Sequence, residues 1–377
     1  MMNIHDKKKI LFVANLAKEH ILKFHVPTIK RLVDLGWTVH VACAGTEAIP
    51  YCHKQFVLSY KRSPFNFALF KGIKELKKIV NEENYDIVYC HTPVGGMAAR
   101  FASRQARKRG TKVVYMAHGY YFFKGASFLS WVLCYPMEKM MAKMADVSIL
   151  INKEDYELTL KKFKVSQAYL INGIGVDLNR FQMNKDEEII KKYRTDLNIP
   201  QDAKVLIYLA ELVPNKNQKF LMRVLKQLLR KGEKYYLVLP GIDHSRGAFQ
   251  KYAKKIGVAD HVRFLGWRDD VVNLYQMADI CVASSKREGL PINLIEAMSC
   301  GVPIVAVYNR GHSSIIGNGS NGFLVRRGDE DAFAEKVETL CNNEDLYNAI
   351  SKKAHDECYK FGNEIIIDNI LKVFSDL

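Results

Sequence analysis

Two acidic residues carry the clearest chemical signal in this sequence. Glu288 and Glu296 stand eight positions apart within SSKREGLPINLIEAMSCGVPIVA (284–306). Between them, Gly289, Leu290 and Pro291 make a turn, and Pro291 suits the first turn of a helix, where a missing N–H costs nothing. The unpaired amides of such a first turn attract an anion. Glu296 then falls about a turn and a half into the helix. From there its carboxylate can accept two hydrogen bonds from a vicinal diol such as a ribose. Glu288, at the end of the preceding strand, can accept hydrogen bonds from a second polyol. A helix N-terminus between two diol-binding carboxylates suits a sugar attached to a nucleotide. An ordinary amphipathic helix with surface carboxylates explains the helix, but not the turn and the spacing together.

Such residues need a scaffold that gathers strand ends and helix starts. Short apolar runs at 9–15, 37–43, 85–90, 112–117 and 146–151 read as strands, with helices near 24–35, 66–83 and 95–108. After a charged, helical-looking segment at 183–198 and the turn at Pro200, the pattern restarts. Strands are expected at 204–210, 235–240, 262–265, 279–283 and 303–307, with helices near 217–231, 247–256, 269–277 and 291–299. Strands alternating with helices of ten or more residues imply βαβ units and parallel sheets. The 377 residues exceed the usual size of one domain. The expected architecture is α/β: two Rossmann-like, doubly wound domains facing a central cleft, joined within 172–200. Ligands of such sheets lie beyond the carboxyl ends of the strands.

Other residues are read in that frame. His118 stands at a strand end before Gly119, and His91 stands likewise before Pro93; each is open to a packing role or a ligand-facing one. Asp269 and Asp270 read as N-terminal helix caps rather than a metal site. No convincing metal cluster is read from the sequence, and no metal is expected. The eight cysteines lack a C-x-x-C pair and read as free thiols in a reducing cytoplasm. No apolar run is long enough to span a membrane, and the polar start does not resemble a signal peptide.

The formal net charge is +16, and residues 1–180 hold 28 Lys and Arg against 14 Asp and Glu, so nearly all the excess lies in the first half. A basic half implies a polyanionic partner, an anionic membrane face, or simply a well-solvated surface. The run RQARKR (104–109) ends a helix, where bases favour the dipole, and no nucleic-acid motif accompanies it. It reads as solvated, and nucleic acid is not expected as a partner. The stretch 119–144 mixes aromatics, aliphatics and lysines. It reads as an interfacial segment or lipid-acceptor wall, or else as a buried helix; the membrane reading is preferred because the basic half contains it.

The pattern E-G-L-P-x-x-x-x-E-A-M-x-C-G-x-P-I-V-A (288–306) resembles the E-x7-E region of retaining glycosyltransferases of family 4, which have the GT-B fold. FLGWRDDVVNLYQMADICVASS (264–285), NGFLV (321–325) and PNKNQ (214–218) follow that family in the right order. In the first half, SYKRSPFN (59–66), CHTPVGG (90–96), AHGYYFFKGA (117–126), INKEDY (151–156) and NGIGVDLNRF (172–181) resemble bacterial exopolysaccharide and capsule glycosyltransferases. The resemblance covers nearly the whole chain.

The resemblance implies hexosyl or N-acetylhexosaminyl transfer, with retention, from an NDP-sugar, preferably a UDP-sugar, to a lipid-linked saccharide in bacterial surface polysaccharide synthesis. No cofactor or metal is expected. It makes 1–180 the acceptor-binding domain, with the last helix (362–377) packing back on it, and 181–361 the donor-binding domain. Glu296 matches the ribose-binding acid and Glu288 the acid at the donor sugar. Gly289, Leu290 and Pro291 lie near sugar and diphosphate, and Lys216 neutralises the diphosphate. Trp267 and Arg268 lie against the base, and His118 faces the donor sugar; His118 and Glu288 are the catalytic candidates. Acceptor-side candidates are His20, His25, Arg62 and His91. The implied location is the cytoplasmic face of a bacterial plasma membrane, held peripherally through the basic half.

The sequence departs from the family in three places. Glu211 stands where an Arg is common, so Lys216 or another base such as Arg287 must compensate. NLAKEHILKFH (15–25) replaces a Gly-rich loop, so Lys18, His20, Lys23 and His25 are expected to line that wall. Ser313 and Ser314 stand where an acid is frequent. A nucleotide-sugar epimerase, a phosphorylase-like enzyme and a non-catalytic nucleotide-sugar-binding subunit remain as alternatives.

Overall fold

The computed structural model describes residues 7–59, 67–123, 125–232 and 234–377. Arg62 and most of SYKRSPFN (59–66) lie outside them. The chain forms two compact units: residues 1–175 with 363–377, and residues 176–362. The crossings thus fall at 175/176 and 362/363, where sequence reading put them at 180/181 and 361/362.

The first unit holds a seven-stranded sheet of β1 (Lys9–Leu16), β2 (Thr38–Ala44), β3 (Lys54–Val57), β4 (Ile87–His91), β5 (Lys112–Ala117), β6 (Val147–Leu150) and β7 (Gln167–Leu170). The order is β3-β2-β1-β4-β5-β6-β7, with every pair parallel. Helices cover both faces of such a sheet, so its central strands read as continuous apolar runs. Ile10 to Ala14 are accordingly fully buried. The edge strands β3 and β7 are exposed at both ends. Edge strands need no apolar run, which is why the sequence shows neither of them.

Two irregularities in this unit bear on function. The register of β1 against β2 shifts between Val13 and Leu16, and the chain then enters a π-helical turn, Ala17–Ile21. The helix expected at 24–35 is accordingly divided into Leu22–Phe24 and Val26–Asp34. The stretch 119–144 contains the helix Phe128–Ala142. Neither expectation for it holds throughout. Its C-terminal end buries Glu138, Met141 and Ala142, whereas Phe128 is 81% and Leu129 67% exposed, with Val132 and Leu133 about half exposed. Among the described residues no helix is long and apolar enough to cross a membrane. In the run 104–109, Arg107 pairs with Asp146 through two hydrogen bonds, at 2.6 and 3.0 Å. The final helix, Asn363–Ser375, belongs to this unit; Phe374 is fully buried against Trp37 and Tyr89.

The second unit holds β8 (Lys204–Ile207), β9 (Tyr235–Pro240), β10 (Val262–Gly266), β11 (Ile280–Ala283), β12 (Ile304–Val307) and β13 (Phe323–Val325). The order is β10-β9-β8-β11-β12-β13, again all parallel. Strand order reverses between β8 and β11, so the ligand-binding crevice is expected beyond the carboxyl ends of these strands. Both sheets are of the Rossmann-like α/β type expected from the sequence.

The exposed apolar helix is anchored by one buried ion pair. Arg100, fully buried on the helix Pro93–Ala102, donates from Nη1 to Glu138 Oε1 at 2.5 Å and from Nη2 to Oε2 at 3.2 Å. Its Nε donates to the Gly96 carbonyl at 3.0 Å, and the guanidinium lies over the Tyr115 ring. Removing one partner strands the other charge, whereas apolar replacement of both is often tolerated. Glu138→Ala is therefore expected to destabilise the protein by about 3–5 kcal/mol in chemical denaturation, and Arg100→Met with Glu138→Leu by much less.

Candidate active site

A cavity of about 290 Å³ opens in the second unit beyond the carboxyl ends of β8, β9 and β10, lined among others by Arg180, Glu211, Gly241, Trp267, Arg268 and Glu296. Close backbone approach shapes it. A Cβ on Gly241 would stand 2.0 Å from the Ala210 carbonyl oxygen, and φ there is +149°. Glu296 lies on the helix Ile292–Ser299. Pro291 is the residue before that helix rather than part of its first turn, and no side chain caps the opening. Burial pushes the Glu296 carboxyl up to about 7, against the opposing pull of Arg180 and a 3.5 Å hydrogen bond from Tyr275 Oη. A half-buried carboxylate lacking a close cation retains capacity to accept from ligand hydroxyls.

Trp267 is 62% exposed at the cavity, and its indole N–H donates to Asp269 Oδ1 at 2.9 Å. Arg268 donates to both oxygens of Asp270, and Tyr193 Oη donates to Asp270 Oδ2 at 2.6 Å. The Arg268 guanidinium holds the Asp270 carboxyl well below the usual carboxylate range. This corrects the capping expectation. Asp270 occupies the N-cap position of Val271–Met277, but its side chain makes no cap hydrogen bond; both acids instead fix the two residues assigned to the base.

Glu288 is in a loop five residues past the end of β11, not at the strand end as expected. Lys216 Nζ donates to Glu288 Oε1 at 2.7 Å, with both side chains mostly buried. Lys216 precedes the helix Gln218–Leu229 across Asn217, whose φ of +56° is left-handed, a conformation Asn tolerates. Ser284 Oγ lies within donating distance of the Lys216 and Asn217 carbonyls, at 2.8 and 3.1 Å, and Asn215 Nδ2 donates to the Arg287 carbonyl at 3.0 Å. On the opposite side, a Cβ at Gly311 would stand 2.5 Å from Glu288 Cβ. The Gly311 loop is fixed by Asn309, whose Oδ1 accepts from the Gly311 and His312 amides at 2.9 Å each. Ser314 Oγ donates to the Gly311 carbonyl at 2.7 Å and Ser313 Oγ to that of Arg310 at 3.3 Å. The serines that replace a frequent acid therefore brace this loop.

Gly289 and Leu290 are half-buried and Pro291 is buried. Glu211 is exposed, 3.7 Å from His244 Nε2. Sequence reading missed Arg180, Asn309 and Gly311, although the polar, Gly-containing NRGHSS was a visible signal for the last two.

In the first unit the fold assembles what spacing could not reveal. His20 leaves the π-helical turn, His25 precedes Val26–Asp34, His91 ends β4, and His118 follows β5. One ring nitrogen from each lies within 4.8 Å of the others. His25 Nε2 is 3.1 Å from His20 Nε2, and His118 Nε2 is 3.4 Å from His91 Nδ1. Burial is the leading cause that keeps all four below the usual histidine range, His118 at about 4. His20, His25 and His91 are buried and His118 half-buried, while Lys18 and Lys23 are exposed. Two expectations change as a result. His20 and His25 face His91 and His118 rather than lining an open wall, and the described residues do contain a constellation with metal-ligating chemistry.

Residues 189–357 match the family model "Glycosyl transferases group 1", and residues 9–152 match "Glycosyl transferase 4-like". The chain is 39% identical to EpsD of Bacillus subtilis (strain 168) over 370 residues, 98% of this chain and 96% of EpsD. It is 26% identical over 322 residues to the Escherichia coli UDP-Gal:alpha-D-GlcNAc-diphosphoundecaprenol alpha-1,3-galactosyltransferase, covering 83% and 81% of the two chains. Its fold matches that of Anabaena HepE, solved with UDP-glucose, with a TM-score of 0.81, 21% identity, and coverage of 98% and 100%. Two parallel-sheet Rossmann-like units define the GT-B class. Within that class the chain belongs to the group 1 glycosyltransferases, and it is a glycosyltransferase.

Gly311 has φ of −74°, which alanine adopts freely, but a Cβ there would stand 2.5 Å from Glu288 Cβ and 3.0 Å from its carbonyl oxygen, so Gly311→Ala is expected to displace the Glu288 loop at some cost in stability. A misplacement of about 1 Å is expected to lower kcat/KM roughly a hundredfold, measured at a temperature where a thermal scan shows the variant still folded. Glu296 makes a pH prediction. Its folded value lies above the ordinary 4.5, so its favourable contribution is complete below 4.5 and lost as pH rises through about 7. Glu296→Gln should therefore be more stable than the parent at about pH 8, with the gap shrinking toward about pH 5 in paired denaturation curves.

Proposed function

We propose that this glycosyltransferase transfers a hexosyl or N-acetylhexosaminyl residue, with retention, from a UDP-sugar to a hydroxyl of a lipid-linked saccharide in bacterial surface polysaccharide synthesis. The observation that carries this reading is the Lys216–Glu288 pair, which shares the strand-end face of one sheet with the Glu296 cavity. Glu296 binds the ribose diol, Trp267 and Arg268 lie against the base, and Glu288 binds sugar hydroxyls. Lys216, with Gly289, Leu290 and Pro291, receives the diphosphate. Lys216 balances the charge of the leaving group, so the transfer chemistry needs no metal at the diphosphate. The C1–O bond to the β-phosphate breaks while a C1–O bond to the acceptor forms on the same face. The acceptor proton passes to the departing phosphate oxygen. His118 acts on the donor sugar.

UDP is favoured as the nucleotide because HepE was solved with UDP-glucose and the Escherichia coli relative carries UDP-Gal in its name. That relative's acceptor is a diphosphoundecaprenol-linked sugar, which supports the lipid-linked acceptor. The exposed Phe128, Leu129, Val132 and Leu133, in a strongly basic half of the chain, support peripheral attachment to the cytoplasmic face of an anionic membrane.

A donor screen tests the proposal. Purified protein is incubated with UDP-, GDP- and dTDP-sugars and membrane lipid extract in EDTA, and released nucleotide is measured. Release from one UDP-sugar, dependent on lipid and abolished in Glu296→Ala, is expected. Binding without release points to a non-catalytic subunit, and conversion of the donor without lipid points to an epimerase; either overturns the reading.

A further inference from the structure

We propose that His20, His25, His91 and His118 together form a binding site for a transition-metal dication, with Zn²⁺ as the preferred occupant. The site shares His118 with the proposed donor-sugar contact and His20, His25 and His91 with the acceptor side, while the diphosphate is assigned to Lys216 in the other unit; metal content is therefore read separately from transfer.

The geometry comes first. A tetrahedral ion with metal–nitrogen bonds of about 2.0–2.1 Å requires ligand nitrogens roughly 3.4 Å apart. The two close nitrogen pairs, at 3.1 and 3.4 Å, lie near that spacing, and one ring nitrogen from each histidine lies within 4.8 Å of the others. The simplest alternative is a pair of imidazole–imidazole hydrogen bonds. That arrangement pairs the rings two by two and does not require all four ligand nitrogens to converge within 4.8 Å of one another. It also gives no reason for four imidazoles at one point.

The backbone is distorted at the places that deliver these rings. Thr92, directly after His91, has φ +62° and ψ 154°, a region that β-branched residues rarely enter. His20 is delivered by a π-helical turn that interrupts the passage from β1 into a helix, and such turns are frequent at functional sites.

The donor set then selects the ion. Four neutral imidazoles with no carboxylate suit Zn²⁺, Cu²⁺ or Ni²⁺ and disfavour Mg²⁺ and Ca²⁺. Four protein ligands close the coordination shell, which is the mark of a structural rather than a hydrolytic site. The ion would tie together the ends of β1, β4 and β5, adjacent in the sheet order β1-β4-β5, and would fix the segment 15–25. His118 would give Nε2 to the ion while its remaining edge stays partly exposed.

The test uses the full chain after removal of any affinity tag. Protein from zinc-supplemented cells is passed through gel filtration and its metal content measured by mass spectrometry. The stripped protein is then titrated with Co²⁺, read by visible absorption. Close to one zinc per chain is expected, as is a Co²⁺ spectrum of tetrahedral nitrogen ligation without a thiolate charge-transfer band. Zn²⁺ should raise the thermal transition of the stripped protein, and His20→Asn and His91→Asn should abolish stoichiometric uptake. If those variants fail to fold, the Co²⁺ titration of the unaltered protein decides alone. A folded, stripped protein that takes up no Co²⁺ stoichiometrically, or that binds it through thiolates, overturns the proposal.

Discussion

The position of Glu288 is the constraint on which the donor half depends. Its carboxylate is held by Lys216 at 2.7 Å, while its Cβ leaves no room for a side chain at Gly311. The two restraints arrive from separate segments. Lys216 is set by a left-handed Asn217 and by Ser284, which reaches the carbonyls at that bend. Gly311 is set by Asn309, whose Nδ2 also donates to the Ser285 carbonyl at 2.9 Å. The loop of Glu288 is thus tied both to the segment after β8 and to the segment after β12, and the site is organised in advance of any ligand.

The two carboxylates of the motif have opposite environments. Glu288 has a cation in direct contact. Glu296 lacks one at that range, and burial raises its proton affinity. In the proposed reading, Lys216 supplies the positive charge that a diphosphate requires, and Glu296, once ionised, the acceptor that a ribose diol requires. The same physical reading accounts for Asp269 and Asp270, which resemble metal ligands or caps in sequence. Their carboxylates are engaged by Trp267 and Arg268, and so orient the residues assigned to the base.

The α/β class and two parallel sheets were legible because central parallel strands are buried on both faces and leave continuous apolar runs such as KILFVAN and KVVYMA. The edge strands Lys54–Val57 and Gln167–Leu170 left none, since only part of each is covered. The Glu288–Glu296 motif was legible because it is local, spanning a single turn and helix. The histidine constellation was illegible for the converse reason. Its members come from positions 20, 25, 91 and 118, and only the strand order β1-β4-β5 makes those loops neighbours. The bracing of Glu288 by Gly311 is likewise a tertiary contact, although the glycine itself was visible.

Recognition of a ribose diol by Glu296, in a nucleotide site formed by the second unit, can be read from a cycle of two proteins and two ligands by isothermal titration in EDTA. The parent and Glu296→Ala are each titrated with UDP and with 2′,3′-dideoxy-UDP. Loss of the hydroxyls is expected to weaken binding to the parent markedly, while in Glu296→Ala the two ligands bind alike. An equal loss in both proteins would contradict it.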